Sequence, residues 1–544
     1  MDTSNANSPE YLRQAIDAEI KSLEDSIRES VRALKQRRNA LAPISSLPTE
    51  IIAAIFFRVR EKRDQHLAWL RVTHVCHQWR EIVINDPLFW SYINFYDVTL
   101  ASATEMLSRA KNVPLHLEAR VSTGDWDDAR FSAFDKVLQA CVFHTRHLSI
   151  QAEDVYLRRT LEGLTLPARY LEYLSLSREE YWVRTVRERP FVPDTLFDGT
   201  APKLFSLKLH GCDISWKSPL LKGLRHLDIR TPPEGAVPSL VDWLDTLDEM
   251  PQLKTLVLHS ASPTAPFNIA RTSTLPSLTH LDISDSAEDC ALALSHLVLP
   301  ALTSLRLTAV AHHPTGDDIE NILPYVTQYS HGSQDTQPLQ SVLICGTEMS
   351  ALIFGWPMPD ISIKSHDPLA WQYVSSARIM LSIVGDRLAY SQLPHHILDA
   401  AMEALPLDNL VTLTAQHRTG LDVRFWLHHA PRWPLLRCVR LAWHAARVFC
   451  DTVLEDGGGR ECPFLPSLTK LDLVDHTTLN ERRTLHLCDA LMERVEQGVP
   501  LETLDLRACR GTSYAVRLLS EIVVDVWGPE TLIDNWGRFI EDGL

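Results

Sequence analysis

The most persistent hydrophobic pattern in the chain is Leu-x-x-Leu-x-Leu. It occurs at Leu171/Leu174/Leu176, Leu204/Leu207/Leu209, Leu224/Leu227/Ile229, Leu253/Leu256/Leu258, Leu278/Leu281/Ile283 and Leu302/Leu305/Leu307. It returns at Leu339/Val342/Ile344, Leu436/Val439/Leu441, Leu468/Leu471/Leu473 and Leu501/Leu504/Leu506, with a weaker first copy at Leu148/Ile150. The final Leu-x-Leu has the two-residue period of a half-buried strand. A proline often stands just ahead, as in Met-Pro-Gln-Leu253, Leu-Pro-Ala-Leu302 and Leu-Pro-Ser-Leu468, which fits a turn entering a short strand. Between copies the apolar spacing turns helical, at Leu240, Leu244 and Leu247 and at Leu485, Cys488, Leu491 and Val495. One such unit cannot bury its own leucines, so residues 145–510 are expected to stack as a β/α solenoid with a parallel sheet. The spacing is uneven: Leu207 to Leu227 is 20 residues and Leu305 to Val342 is 37, so insertions are expected. Region 375–415 has candidate strands at 378–384 and 410–414 but no clean copy.

Ahead of the repeats, residues 10–41 contain no Gly or Pro and place Ile20, Ile27, Leu34 and Leu41 at heptad position a, with Ile16 and Leu23 at d. Ser30 and Arg37 break the seam. Residues 1–43 are therefore read as an amphipathic helix, either packed on its own chain or forming a short homodimeric coiled coil. A second apolar concentration covers 44–95. Leu47-Pro48-Thr49-Glu50-Ile51 opens a helix that includes Ile55, and Pro48 suits its first turn. A charged stretch at 58–66 follows. Next come Val75, Cys76, Trp79 and Arg80, then Asp86-Pro87-Leu88-Phe89-Trp90. Three short helices cannot bury this many large groups among themselves, which predicts a face that another protein covers.

The order Leu-Pro-x-Glu-Ile, Val-Cys-x-x-Trp-Arg, Asp-Pro-Leu-x-Trp resembles the F-box. His77 and Gln78 depart from its usual basic residues. Together with the repeats, most of the chain is similar to F-box proteins with degenerate leucine-rich repeats. The resemblance implies a mixed α/β fold: an N-terminal helix and three-helix F-box, then an irregular repeat solenoid. It also implies a substrate adaptor of a Skp–cullin–F-box ubiquitin ligase. Leu47, Pro48, Glu50, Ile51, Ile55, Val75, Cys76, Trp79, Leu88 and Trp90 would divide between the F-box core and the Skp contact, and a cullin would be reached through the Skp adaptor. The other reading is a repeat scaffold unconnected to ubiquitin transfer. Residues 96–144 are expected as a linker or cap, and 511–544 as a C-terminal cap or tail.

In the repeat strands the residue between the last two leucines points away from the core. That rule selects Ser175 and Val257 together with Lys208, Asp228, Asp282, Arg306, Arg440, Asp472 and Asp505. These charged residues form the candidate target-binding ladder.

Composition narrows this picture. A net charge of −16 argues against a broad nucleic-acid footprint. Residues 1–96 are close to neutral, so the acidity belongs to the repeats. The longest uncharged apolar stretch, 290–305, is too short to cross a bilayer. Ten cysteines without a CxxC pair read as free thiols in an intracellular compartment, cytoplasmic or nuclear. No phosphate loop, dinucleotide fingerprint or Gly-x-Ser-x-Gly elbow is present, and the His-His pairs at 312–313, 395–396 and 428–429 lack a completing ligand set. No enzyme activity, catalytic residue, cofactor or metal is expected. A hydrolase or transferase hidden in 345–435, with Trp356, Trp371, Trp426 and Trp433, has no residue pattern behind it.

Overall fold

The structure is a computed structural model. It describes residues 9–60, 68–122, 124, 126–179, 190–230, 237–263, 270–313, 316–330, 337–347, 349–359, 376–385, 395–416, 421–456, 463–474, 478–510 and 513–528. The chain divides into two compact units: residues 1–174 with 200–203, and residues 175–199 with 204–544. The architecture is mixed α/β, with N-terminal helices followed by a large, mostly parallel sheet of solenoid-like repeats.

In the first unit α1 (Pro9–Ala40) is one 32-residue helix with no buried residue. Among the described residues, none lies over its apolar stripe closely enough to exclude water. A 3-10 turn at Pro43–Ser46 leads to α2 (Thr49–Arg60). A second 3-10 segment (Ala68–His74), α3 (His77–Asn85) and a third (Pro87–Trp90) complete the helical part. The charged stretch ends outside the described residues. Three strands follow, β1 (Tyr92–Asn94), β2 (Leu115–Val121) and β3 (Thr145–Ala152), each parallel to the next. α4 (Leu100–Ala110) and α5 (Asp128–Cys141) connect them, capped by Thr99 and Asp127, whose side chains accept from the N–H groups of Ser102 and Arg130.

The segment 96–144 is thus itself strand–helix repeat. The alternation Leu115, Leu117, Ala119, Val121 is inward-facing and buried. It lacks the leading leucine of the later copies, which is why the pattern begins too late when read by motif. At the other end the helix Ser513–Leu519 and a strand at Asp525–Trp527 carry the alternation past residue 510.

In the second unit β4 (Ser206–His210), β5 (His226–Arg230), β6 (Thr255–His259), β7 (His280–Ser286) and β8 (Ser304–Ala311) pair in chain order, all parallel. The next strands are β9 (Ser341–Thr347), β10 (Ser350–Trp356) and β11 (Ile379–Gly385). Here the expected simple succession fails. β8 is followed in the sheet by β11, then β10, then β9, and β10 runs antiparallel to both its neighbours. The cause is local: the tight Thr347/Ser350 pairing folds β10 back on β9 before a helix can intervene. β12 (Thr412–Ala415), β13 (Cys438–Leu441), β14 (Lys470–Leu473), β15 (Thr503–Asp505) and β16 (Asp525–Trp527) restore the parallel order from β9 onward.

The pattern leucines form the core: Leu207, Leu227, Leu256, Leu471 and Leu504 are all 0% exposed. The prolines do what the sequence implies. In Met250–Leu253, Leu275–Leu278, Leu299–Leu302, Trp433–Leu436 and Leu465–Leu468, the last N–H donates to the first carbonyl, closing a β-turn with Pro at its second position. Ser239, Ser286, Asp422 and Asn480 cap the helices that follow strands, each side chain accepting from the backbone three residues on. Arg494 is fully buried, and its guanidinium donates to the carbonyls of Phe464, Leu465 and Leu468, where burial pulls its pKa down to about 10. Trp356, Trp426 and Trp433 are core packers at 1%, 0% and 1% exposure, while Trp371 lies outside the described residues.

Candidate protein-docking surfaces

α2 carries two apolar rows. Ile52 and Phe56 point inward and are 0% and 2% exposed. They join Trp69, Val83, Phe89 and Trp90, all buried. The rings pack tightly: Phe57 stacks on Phe89 at 4.0 Å, Phe56 meets Trp79 at 4.8 Å, and Trp69 lies edge-on to Trp90 at 5.4 Å. The Trp90 indole N–H donates to the Val83 carbonyl at 3.0 Å, so its one polar atom is satisfied inside the core. Asp86 accepts from the Leu88 N–H and starts the last helical turn.

The second row faces water. Leu47, Ile51, Ile55 and Val59 follow one another at i, i+4 spacing and are 38%, 49%, 41% and 39% exposed. Val75 and Leu88 are also exposed, as are Pro48 and Glu50. Of the ten residues selected by sequence, Trp90 belongs to the core, Cys76 and Trp79 are half-buried, and the other seven are exposed. Val59 completes the outer row and Ile52, Phe56 and Trp69 complete the core. The i, i+4 continuation from Ile55 would have found Val59.

On the second unit the outward residues share one register. Lys208, Asp228, Val257, Asp282 and Arg306 are mutual partners across β4 to β8. The row continues through Met380, Phe354, Leu343 and Thr414 to Arg440, Asp472, Asp505 and Trp527. Its middle is therefore apolar, and Leu343 and Phe354 are buried with Trp356 and Ala377. Its charges are not uniformly exposed: Asp228, Arg440 and Asp472 are 8%, 8% and 7% exposed. They are held by neighbours. Asp228 takes two bonds from Arg230, at 2.7 and 3.2 Å, and lies 3.5 Å from His210. Burial pulls the Asp228 carboxyl up, but the His210 imidazole and Arg230 guanidinium outweigh it and leave its pKa below the usual carboxylate value. Arg440 donates to Asp472 at 3.0 Å and Lys470 stands 3.3 Å from the same oxygen. Asp282 pairs with His259, and Asp505 with Arg507. Trp527, 42% exposed, closes the row with Lys470 and Arg507 over its ring. It follows the last clean motif and was not selected by sequence.

Comparison with known proteins bears on the first surface. The F-box-like family model matches residues 44–96. Residues 44–96 form an F-box-like domain. No curated protein matches the chain. The crystal structure of the Rad7 and Elc1 complex in yeast aligns over 93% of this chain and 96% of that one, at 12% identity and a TM-score of 0.26, too loose a likeness to bear on fold or function. No helix among the described residues is long and apolar enough to cross a membrane.

One further cluster lies on the first unit. His116, Glu118 and His147 could each offer a ligand atom, all within 4.8 Å of one another. The two imidazoles, however, stack face to face at 3.7 Å and 19°, so their in-plane lone pairs run nearly parallel and do not converge on one point. Tyr173 stacks on His147 at 3.9 Å, and Tyr92 donates to Glu118 at 2.8 Å. The cluster reads as an aromatic ledge with a braced carboxylate. No disulfide joins the nine described cysteines, and burial pushes the thiols of Cys141 and Cys450 up to about 12.

Proposed function

We propose that the chain is a non-catalytic substrate adaptor of a Skp–cullin–F-box ubiquitin ligase. The F-box-like domain would bind a Skp adaptor and, through it, a cullin. The strand–helix units are read as degenerate leucine-rich repeats that hold a target protein. One observation carries the proposal: the domain fills its own core with Ile52, Phe56, Trp69 and Phe89 and still leaves Leu47, Ile51, Ile55 and Val59 in water. A domain of this size gains nothing by exposing four aliphatic residues in line unless a partner covers them.

The target is assigned to the outward row. Its half-buried members Lys208, Asp282, Arg306 and Asp505 are the contact residues, together with exposed Trp527. Buried Asp228, Arg440 and Asp472 hold the strands in register, although Asp472 Oδ1 has no hydrogen-bond partner among the described residues and would accept a target donor. On this reading the protein works inside the cell.

Co-purification with a Skp adaptor tests the reading. The wild-type chain should capture it, and a Leu47→Ala/Pro48→Ala variant should not, with circular dichroism unchanged. Equal capture by the variant rejects the assignment. Absence of capture by the wild type favours a scaffold without ubiquitin transfer.

A further inference from the structure

α1 is about 48 Å long at 1.5 Å per residue, and none of its residues is buried. Leu12, Ile16, Ile20, Leu23, Ile27, Val31 and Leu34 are between 43% and 63% exposed. The steps between them are four, four, three, four, four and three. That is an eleven-residue period from Leu12 to Leu23 to Leu34, close to the natural helical repeat, so the stripe runs almost straight along the helix. Val31 takes the seam position where a heptad reading meets Ser30. The stripe ends where Arg38 enters it.

The charges of α1 are polarised. Before residue 26 stand Glu10, Asp17, Glu19, Glu24 and Asp25 against Arg13 and Lys21. After it stand Arg28, Arg32, Lys35, Arg37 and Arg38 against Glu29 alone. Exposed pairs such as Arg28 with Asp25 at 3.5 Å and Arg32 with Glu29 at 3.6 Å join neighbours locally and leave this polarity in place.

We propose that α1 pairs antiparallel with α1 of a second copy of this chain. An antiparallel alignment centred between Leu23 and Glu24 sets Ile20 opposite Ile27 and Ile16 opposite Val31, and brings Leu12 within one residue of Leu34. It turns the acidic half of each helix toward the basic half of the other, with Asp17 near Arg28 and Glu10 near Lys35 of the second copy. The helix dipoles also oppose. A parallel pair would seat the same apolar residues but set acid against acid and base against base. Identity of the two partners is what makes the polarity self-complementary. The resulting assembly carries two F-box-like domains.

Analytical ultracentrifugation of the full chain should give twice the 61.6 kDa of one copy at tens of micromolar. Ile20→Asp/Ile27→Asp should return it to one copy, raising the dissociation constant at least about 100-fold. Because neither residue is buried, its circular dichroism should stay unchanged. Orientation is read by cross-linking: Ile16→Cys mixed with Val31→Cys should form a disulfide-linked pair, while neither variant links with itself. A single copy at all concentrations, a dimer that survives the double Asp change, or self-linking of each cysteine variant overturns the proposal.

Discussion

β7 and α2 are made from the same kinds of residue and end differently. In β7, Leu281 and Ile283 point inward at 1% and 0% exposure, and outward Asp282 already meets His259. In α2, Ile52 and Phe56 are buried while Ile51 and Ile55 stay 49% and 41% exposed. A strand in a stack has two faces, and its neighbours bury one while polar residues occupy the other. A helix in a domain of about fifty residues has more apolar circumference than two small neighbours can cover. The repeats therefore close on themselves, and the F-box-like domain does not. Apolar sequence alone does not separate the two cases; the number of neighbours does.

The same substitution in the two places gives the widest contrast. Leu281→Asp would bury a charge beside β6 and β8 and should cost more than about 4 kcal/mol, seen as loss of the urea transition and of hydrogen-exchange protection across those strands. Ile51→Asp should cost under about 1 kcal/mol, because its side chain already stands in water. Equal destabilisation by the two would break the comparison. Next in size is the outward row. Arg440→Ala leaves Asp472 buried without its main partner and should cost about 3 kcal/mol. Arg507→Ala, at the more exposed Asp505 pair, should cost under about 1 kcal/mol in the same urea titration.

Much of this was readable in advance, for a physical reason in each case. The Leu-x-x-Leu-x-Leu copies with their prolines mark strands because alternation and a Pro-headed turn are local signals, and every full copy in the described second unit is core. The F-box-like segment was readable because its three short motifs fall in a fixed order. The reversal at β9 to β11 was not, since residues 351–356 form a nearly continuous apolar run that carries no sign of direction, and pairing direction is a tertiary choice. The strand–helix alternation at β2 was missed because Leu115/Leu117 lacks the leading leucine. The burial of Asp228 and Arg440 was missed too: the outward rule gives direction, while exposure depends on side chains of the adjacent strand, such as His210 beside Asp228 and Asp472 beside Arg440, which no single strand encodes.

The outer row of α2 can be sharpened residue by residue. Ile51→Ala and Ile55→Ala should each weaken Skp-adaptor binding by about 2 kcal/mol, near thirty-fold, measured by calorimetry. Val59→Ala should act in the same direction, because it continues the row. Ile52→Ala should instead lower the unfolding midpoint of the F-box-like domain. If Val59→Ala leaves adaptor affinity untouched, the docking row ends at Ile55.

The smallest effect asks whether the outward face of the first unit is as self-satisfied as that of β7. Glu118 is hydrogen-bonded by His116, which lowers its pKa most; burial opposes this and Tyr92 lowers it further, to about 2 from 4.5. A carboxylate whose folded pKa lies below its unfolded value adds stability that is complete above about pH 4.5 and is lost as pH falls toward 2. The shift alone would correspond to about 3 kcal/mol. The side chain is 36% exposed, so solvent screening reduces this to about 1 kcal/mol. Glu118→Gln keeps the shape and removes the titration. The stability difference between wild type and this variant should therefore be about 1 kcal/mol at pH 6 and shrink steadily on acidification to pH 3. Urea unfolding at both pH values measures it. A difference that does not change between them would mean that Glu118 acts through shape and hydrogen bonding alone, and that the ledge of Tyr92, His116 and His147 owes nothing to its charge.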